Sequence, residues 1–343
     1  MVTGPNGSGK TNLLEALSLL APGRGLRNAR LSEMARRDES AAGGWAVHAR
    51  LLQDGVEREI GTGQAPGSVG ERRSFRLDGG TPRSQAEIAT AFACVWLTPQ
   101  MDRLFQDGAS GRRRFLDRLV WALEPGHARE VSAYEHATSG RNRLLARGGA
   151  DPAWLAGLED AMARHGVAAA AARAGLVARL NAALADGAAA GFPPARLVLD
   201  DVLAARLGAS PALAVEDWLR GALLEGRVAD AASGSAALGA HRADMQMEDA
   251  GTGLPASLAS TGQQKALLIG TILGHAALIS VARGAPPLLL LDEPAVHLDA
   301  VRRAALWEAL GASAAQVILT GTDPEAFAGM DAVFLKAGGG ALI

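Results

Sequence analysis

The chain is poor in cysteine, lysine and aromatic residues, and each shortage removes a class of protein. A single cysteine, Cys94, leaves no partner for an internal disulfide, so the sequence fits a reducing cytoplasm and not a disulfide-stapled secreted fold. Aromatic residues make up 4% of the chain, with Tyr134 the only tyrosine, too few for a surface that stacks base after base on rings. The formal net charge is −2, so no global basic excess points to nucleic acid and any such contact must rest on local patches. The longest apolar run considered, Leu288 to Leu291, is far too short to span a bilayer. No charged-then-apolar leader stands at the N-terminus, so neither export nor a membrane partner is expected.

One further scarcity is informative. Of the 34 lysines and arginines, only Lys10, Lys265 and Lys336 are lysine. Where arginine serves almost everywhere, a remaining lysine marks a place that needs a compact point charge. What the chain does have is 48% hydrophobic and 20% charged residues, enough to bury a real core. Its 343 residues suffice for one large domain or two smaller ones.

Gly4-Pro5-Asn6-Gly7-Ser8-Gly9-Lys10-Thr11 fits G-x-x-x-x-G-K-[ST] at every fixed position. The glycines let the backbone curl so that successive N–H groups, through Asn12, point at phosphate oxygens. Lys10 reaches the β- and γ-phosphates, and the Thr11 hydroxyl suits Mg²⁺. A helix is expected from Asn12 to Leu20, its N-terminus adding a dipole favourable to phosphate. A phosphate loop should follow a buried strand, but only Met1, Val2 and Thr3 precede this one. The chain thus reads as beginning in the middle of its first strand, and the expectation is a miscalled start codon or a fragment, rather than a protein that really lacks an edge of its ATPase core.

The run Leu288 to Leu291 ends in Asp292-Glu293 and reads as a buried parallel strand. Asp292 at its end suits Mg²⁺, and Glu293 suits the orientation and deprotonation of an attacking water. Upstream, Ser260-Thr261-Gly262-Gln263-Gln264-Lys265 opens a helix expected to reach Ala282. It resembles the signature motif of ABC ATPases, with Thr261 where glycine is more usual. In those proteins the signature faces the phosphate loop of a second subunit, so the resemblance implies an ATP-dependent homodimer. His297-Leu298-Asp299 resembles the D-loop. Gly321-Thr322-Asp323, after a strand over 316–320, stands where many ABC ATPases carry a switch histidine, leaving Thr322 or Asp323 for that role. Leu97-Thr98-Pro99-Gln100 resembles the Q-loop, with Gln100 at the nucleotide.

Between these motifs the chain divides in two. Residues 44–97 read as short strands: Trp45 to Leu51 alternates, Val56 to Ile60 pairs with it across Asp54-Gly55, and Ser74 to Leu77 ends at Asp78-Gly79-Gly80. Residues 112–226 read as helices over 114–123, 128–146 and 153–188, with no heptad repeat long enough for a long coiled coil. The expected division is 1–108 and 229–343 for an ATPase core with an antiparallel subdomain, and 109–228 for a helical lobe. Arginines gather at Arg72, Arg73 and Arg76, at Arg112, Arg113, Arg114 and Arg118, at Arg141, Arg143 and Arg147, and early at Arg24, Arg27, Arg30, Arg36 and Arg37. Guanidinium forks suit DNA phosphates, with Arg72, Arg73 and Arg112 to Arg114 foremost; a solvated face in an arginine-biased chain is the alternative.

Gly9 to Ala16, Pro22 to Arg27, Arg112 to Arg118, Ser260 to Leu268, Thr320 to Asp323 and His241 to Asp244 together resemble the RecF family over essentially the whole chain. At Ala240 the family tends to have proline. The resemblance implies an α/β protein, an ABC-type P-loop ATPase core with an antiparallel subdomain and an inserted helical lobe. It implies a bacterial cytoplasmic recombination mediator with ATP and Mg²⁺ as cofactors. Such a protein binds duplex DNA and gapped or single-stranded junctions, and acts with RecR and RecO to load RecA in gap repair and the SOS response. Its weak DNA-stimulated ATPase serves as a dimer switch. The first strand and an aromatic, basic segment that relatives carry before the phosphate loop are missing here. The alternative is therefore an impaired remnant serving only as a DNA- or RecR-binding scaffold.

Overall fold

Four consecutive leucines ahead of Asp292 form a strand because a parallel strand covered on both faces has no polar side to present. The structure, a computed structural model, describes residues 1–343 except 36–42, 54, 69–71, 149–150, 314, 339–340 and 343. In chain order its described elements are β1 (Val2–Thr3), α1 (Lys10–Ser18), β2 (Trp45–Gln53), β3 (Val56–Gln64), β4 (Ser74–Leu77), α2 (Gln85–Ala91) and β5 (Cys94–Leu97). Then come α3 (Ala109–Leu123), α4 (His127–Arg147), α5 (Pro152–Ala185), β6 (Ala195–Asp200), α6 (Val202–Leu207), α7 (Ala212–Glu225), α8 (Arg227–Ser233) and β7 (Asp244–Asp249). The chain closes with α9 (Thr261–Arg283), β8 (Leu288–Asp292), α10 (Ala300–Ala312), β9 (Val317–Gly321), β10 (Leu335–Gly338) and β11 (Ala341–Leu342). Arg36 and Arg37 of the early basic group, and Asp54 of the expected turn, lie outside the described residues.

One unit comprises Met1–Asp102, Ala189–Phe192 and Ile272–Ile343. Its main sheet has the order β11-β10-β1-β9-β8-β5, parallel except for β11. Strands β2, β3 and β4 form the expected antiparallel sheet. Alternation sets its sidedness: Val47, Ala49 and Leu51 pack against a core of Leu14, Ile60, Phe75, Leu77, Ile88 and Trp96, while His48 and Arg50 are exposed. This shared core joins the small sheet to α1 and the main sheet.

The other unit comprises Arg103–Ala188 and Pro193–Thr271. Helix α5 starts where Asp151 accepts from the Ala153 N–H at 2.8 Å and Pro152 takes the first helical position. Its face of Met162, Ala163, Val167 and Ala170 packs with Tyr134 and Ala137 of α4 and Val215, Leu219 and Leu223 of α7. These units divide the chain differently from the expected helical lobe at 109–228 and ATPase core at 1–108 with 229–343. Residues up to Thr271 fold with the helices because β7 pairs with β6, Met245 with Leu199 and Met247 with Leu197. The pair β6–β7 was not anticipated, since 112–226 reads as helical throughout.

By length and composition α5 and α9 would each suffice to cross a bilayer, although no unbroken apolar run does. The apolar window of α9 is mostly buried inside the protein, that of α5 a little less than half. Helix α5 carries the charged side chains Glu159 and Arg173 buried in ion pairs within its own unit.

Candidate functional site

The phosphate loop follows the carboxyl end of β1. Gly7 and Gly9 adopt φ of +80° and +95°, conformations that side chains rarely tolerate. At Gly4 a Cβ would come within 2.6 Å of the Ala337 carbonyl oxygen. Gly9 caps α1 without a side-chain bond, so the first-turn N–H groups keep the donor capacity that helix starts present to anions. Lys10 is 5% exposed, and its ammonium donates to the Gly4 and Pro5 carbonyls at 2.8 and 3.0 Å. Asn6 and Gly7 on the loop crest and Asn12 on α1 are exposed, and Ser8 is half-buried.

Helix α1 is stitched to the segment behind it. Ser18 accepts from the Leu26 N–H at 2.8 Å, and Glu15 from the Arg27 N–H at 2.7 Å. Gly25, at φ +70°, has no room for a Cβ, which would meet Glu15 Oε1 at 2.6 Å. Burial raises the Glu15 carboxyl, against the lowering effect of the Arg27 N–H bond. The Arg73 guanidinium donates to the Ala21 carbonyl at 2.7 Å and lies 4.8 Å from the Phe75 ring centroid. Burial pushes it down to about 10, with Glu15 opposing.

Asp292 is 5% exposed at the carboxyl end of β8. Its Oδ1 accepts from the Thr11 hydroxyl at 3.3 Å and from the Thr320 hydroxyl at 2.6 Å. Glu293 follows with φ +49°, unusual for a residue with a side chain, and its N–H donates to Thr320 at 3.2 Å. Asp299 caps α10, accepting from the Arg302 N–H at 2.8 Å. Asp323 caps a short 3₁₀ turn, accepting from the Glu325 N–H at 2.9 Å, and Thr322 beside it is exposed. Gln100 is exposed just past β5. The loop, Asp292-Glu293, Thr320 to Asp323 and Gln100 thus follow the carboxyl ends of β1, β8, β9 and β5, all strands of one parallel sheet. Open α/β sheets bind ligands at that end. In the sequence Thr320 stands at the end of an expected strand and in the stretch that resembles the RecF family, with no role given to its hydroxyl; the structure buries it fully.

The signature stretch opens α9 in the other unit. Ser260 and Gln263 form a reciprocal cap: the Ser260 N–H donates to Gln263 Oε1 at 3.0 Å, and the Gln263 N–H to Ser260 Oγ at 3.4 Å. Ser260 and Thr261 are exposed, Gly262 is half-buried, and Gln264 is anchored by Nε2 donating to the Ala256 carbonyl at 2.8 Å.

The arginines proposed for DNA separate into two kinds. Arg112 Nε and Nη2 donate to Asp244 at 2.8 and 2.7 Å, holding that carboxyl below its usual range. Arg113 donates to the Ala243 carbonyl at 2.8 Å. With Arg73, these guanidiniums join parts of their own units, whereas Arg72 and Arg114 are exposed. The same stretch seats His241, whose Nδ1 lies 2.6 Å from the Tyr134 hydroxyl. Arg112→Glu should lower stability by about 1.5–3 kcal/mol through loss of a charge-assisted bond, read by thermal melting. Arg114→Glu should leave the melting temperature unchanged and weaken duplex binding at low salt.

Comparison with known proteins gives a consistent picture. The model of the RecF/RecN/SMC N terminal domain matches residues 1–336. The DNA replication and repair protein RecF of Mesorhizobium japonicum is 48% identical over 330 residues, spanning 96% of this chain and 86% of that protein. RecF of Brucella suis is 45% identical over 347 residues, spanning 100% and 89%. Among solved structures, the recombination mediator protein RecF-ATPrS in the RecFOR pathway superposes with a TM-score of 0.84 at 22% identity, covering 99% of this chain and 90% of that one. The corresponding RecF-ATP structure gives 0.82 at 21% identity, covering 100% and 90%. The fold is that of an ABC-type ATPase.

Proposed function

The chain belongs to the RecF family, and from that premise we propose that it is an ATP-switched recombination mediator acting on DNA in replication-gap repair. The observation that carries this reading is the meeting of phosphate loop, Asp292, Glu293 and Thr320 at the carboxyl ends of neighbouring parallel strands. Lys10 and the first-turn N–H groups of α1 bind the β- and γ-phosphates. Glu293 orients the attacking water and takes its proton. Gln100, Thr322 and Asp323, at the same end of the sheet, complete the surroundings of the γ-phosphate.

Thr11 and Asp292 are the residues that would hold Mg²⁺. Their oxygens lie 3.3 Å apart. One hydroxyl and one carboxylate suit an ion that keeps most of its water. When bound, the ion neutralises charge on the phosphate oxygens.

In this reading Ser260, Thr261, Gly262 and Gln263 meet the γ-phosphate of a second copy, with Asp299 near the same junction. ATP closes a homodimer and slow, DNA-stimulated hydrolysis releases it. The exposed Arg72 and Arg114 contact DNA phosphates. RecR is the direct protein partner, with RecO and RecA downstream in gap loading and the SOS response, all in the cytoplasm. The test is sizing by light scattering with ATP and Mg²⁺. Glu293→Gln should hold a long-lived dimer, because it keeps nucleotide and loses the base. A Glu293→Gln protein that stays monomeric at saturating ATP would rule out the sandwich.

A further inference from the structure

Thr320 has no part in the phosphate loop, the Asp-Glu pair or the signature, yet it joins the two residues of the pair. It is fully buried, and strand register sets it beside Asp292 on β8 and Val2 on β1. Its hydroxyl has one donor and two acceptor positions. The donor is used on Asp292 Oδ1 at 2.6 Å, and an acceptor position on the Glu293 N–H at 3.2 Å. The second bond to the same Asp292 oxygen, from Thr11, is longer at 3.3 Å. The Thr320 bond is therefore the stronger constraint on how the carboxylate is turned. Its other bond holds the backbone of Glu293 at φ +49°, a conformation that persists only where the surroundings impose it. A buried strand position asks for an apolar β-branched side chain; a hydroxyl there needs partners, and both of these belong to the Asp-Glu pair.

We infer that Thr320 is a positioning residue for ATP hydrolysis, turning Asp292 toward Thr11 and fixing the backbone from which Glu293 projects. The inference rests on the ATPase reading above. Thr320→Val keeps the shape and removes the hydroxyl; Thr320→Ser keeps the hydroxyl. The wild-type chain, both variants and Thr320→Ala are compared by steady-state hydrolysis, by binding of a fluorescent ATP analogue across a Mg²⁺ titration, and by thermal melting.

The expected result is a fall in kcat of about tenfold or more in Thr320→Val and Thr320→Ala, with KM for ATP within about twofold. The Mg²⁺ concentration for half-maximal binding should rise in both, and Thr320→Ser should restore both quantities. Should Thr320→Val fail to fold, Thr320→Ala and Thr320→Ser carry the same comparison. Wild-type kcat and Mg²⁺ dependence in the hydroxyl-free variants would overturn the inference. So would equal losses in Thr320→Ser, which would make the effect one of packing. A wild type that binds Mg²⁺ and nucleotide without turnover removes the hydrolysis reading alone, and the Mg²⁺ titration then decides for Thr320. A wild type that binds no nucleotide removes both.

Discussion

Lys10→Ala should lower ATP affinity about a hundredfold and abolish ATP-driven dimerisation. The ammonium is 5% exposed and already sits over the loop carbonyls of Gly4 and Pro5. Two charge-assisted bonds of about 1.5 kcal/mol each are worth about 3 kcal/mol, close to two decades in Kd. Lys10→Arg is the sharper control. This chain uses arginine for nearly every other cation, yet a planar fork cannot occupy the place of a compact charge inside a closed loop. We expect Lys10→Arg to bind ATP no better than Lys10→Ala, measured by calorimetric titration. Wild-type affinity in either variant would show that the loop backbone alone holds the phosphates.

The second large effect concerns a residue outside the phosphate loop, the Asp-Glu pair and the signature. Arg141 is wholly buried in the unit that contains α4 and α5. It donates to Glu159 at 2.9 Å, to Asp230 at 2.7 Å and to the Leu223 carbonyl at 2.6 Å, with Arg227 donating to both oxygens of Glu159. Arg141→Ala leaves the Asp230 carboxylate, 4% exposed, without its cation, while Glu159 keeps Arg227 on both oxygens. Removing one partner of a buried pair costs about 3–5 kcal/mol. Each kcal/mol moves the melting temperature of a domain this size by about 2–4 °C, so the unit should melt well below wild type. Arg143→Ala should shift it by less than about 0.5 kcal/mol, since Arg143 is exposed. Differential scanning calorimetry of the two variants separates them, and equal melting temperatures would show that the network adds nothing.

Arg141 and Arg143 also mark where the sequence stops being readable. Two positions along a helix point to nearly opposite sides, so a run of arginines read as one basic cluster is divided into a buried strut and a solvated charge. The same happens at Arg112, Arg113 and Arg114, where the first two are engaged and the third is exposed. Local pattern was enough for the phosphate loop, the leucine strand before Asp292, the small antiparallel sheet and the three helices after residue 109. These depend on spacing within a few residues. The pairing of β6 with β7 was hidden because α6, α7 and α8 lie between them, although Met245 and Met247 alternate with polar neighbours as a strand requires. Thr320 was hidden for a related reason: its role exists only in the register between β8 and β9, which no single segment encodes.

The neighbours of β1 carry a consequence for biosynthesis. Val2 pairs with Thr320 on one side and Leu335 on the other, so the strand that launches the phosphate loop is inserted between two strands translated near the end of the chain. While the ribosome is still upstream of β9, the loop has no sheet to fix its direction. Local helices can form early and fast, but this closure must wait for the most distant pairings in the sequence, the slow kind. Nascent chains stalled before Val317 should therefore be unable to retain ATP even with the whole phosphate loop exposed, and nucleotide binding would report that β9 and β10 have been made.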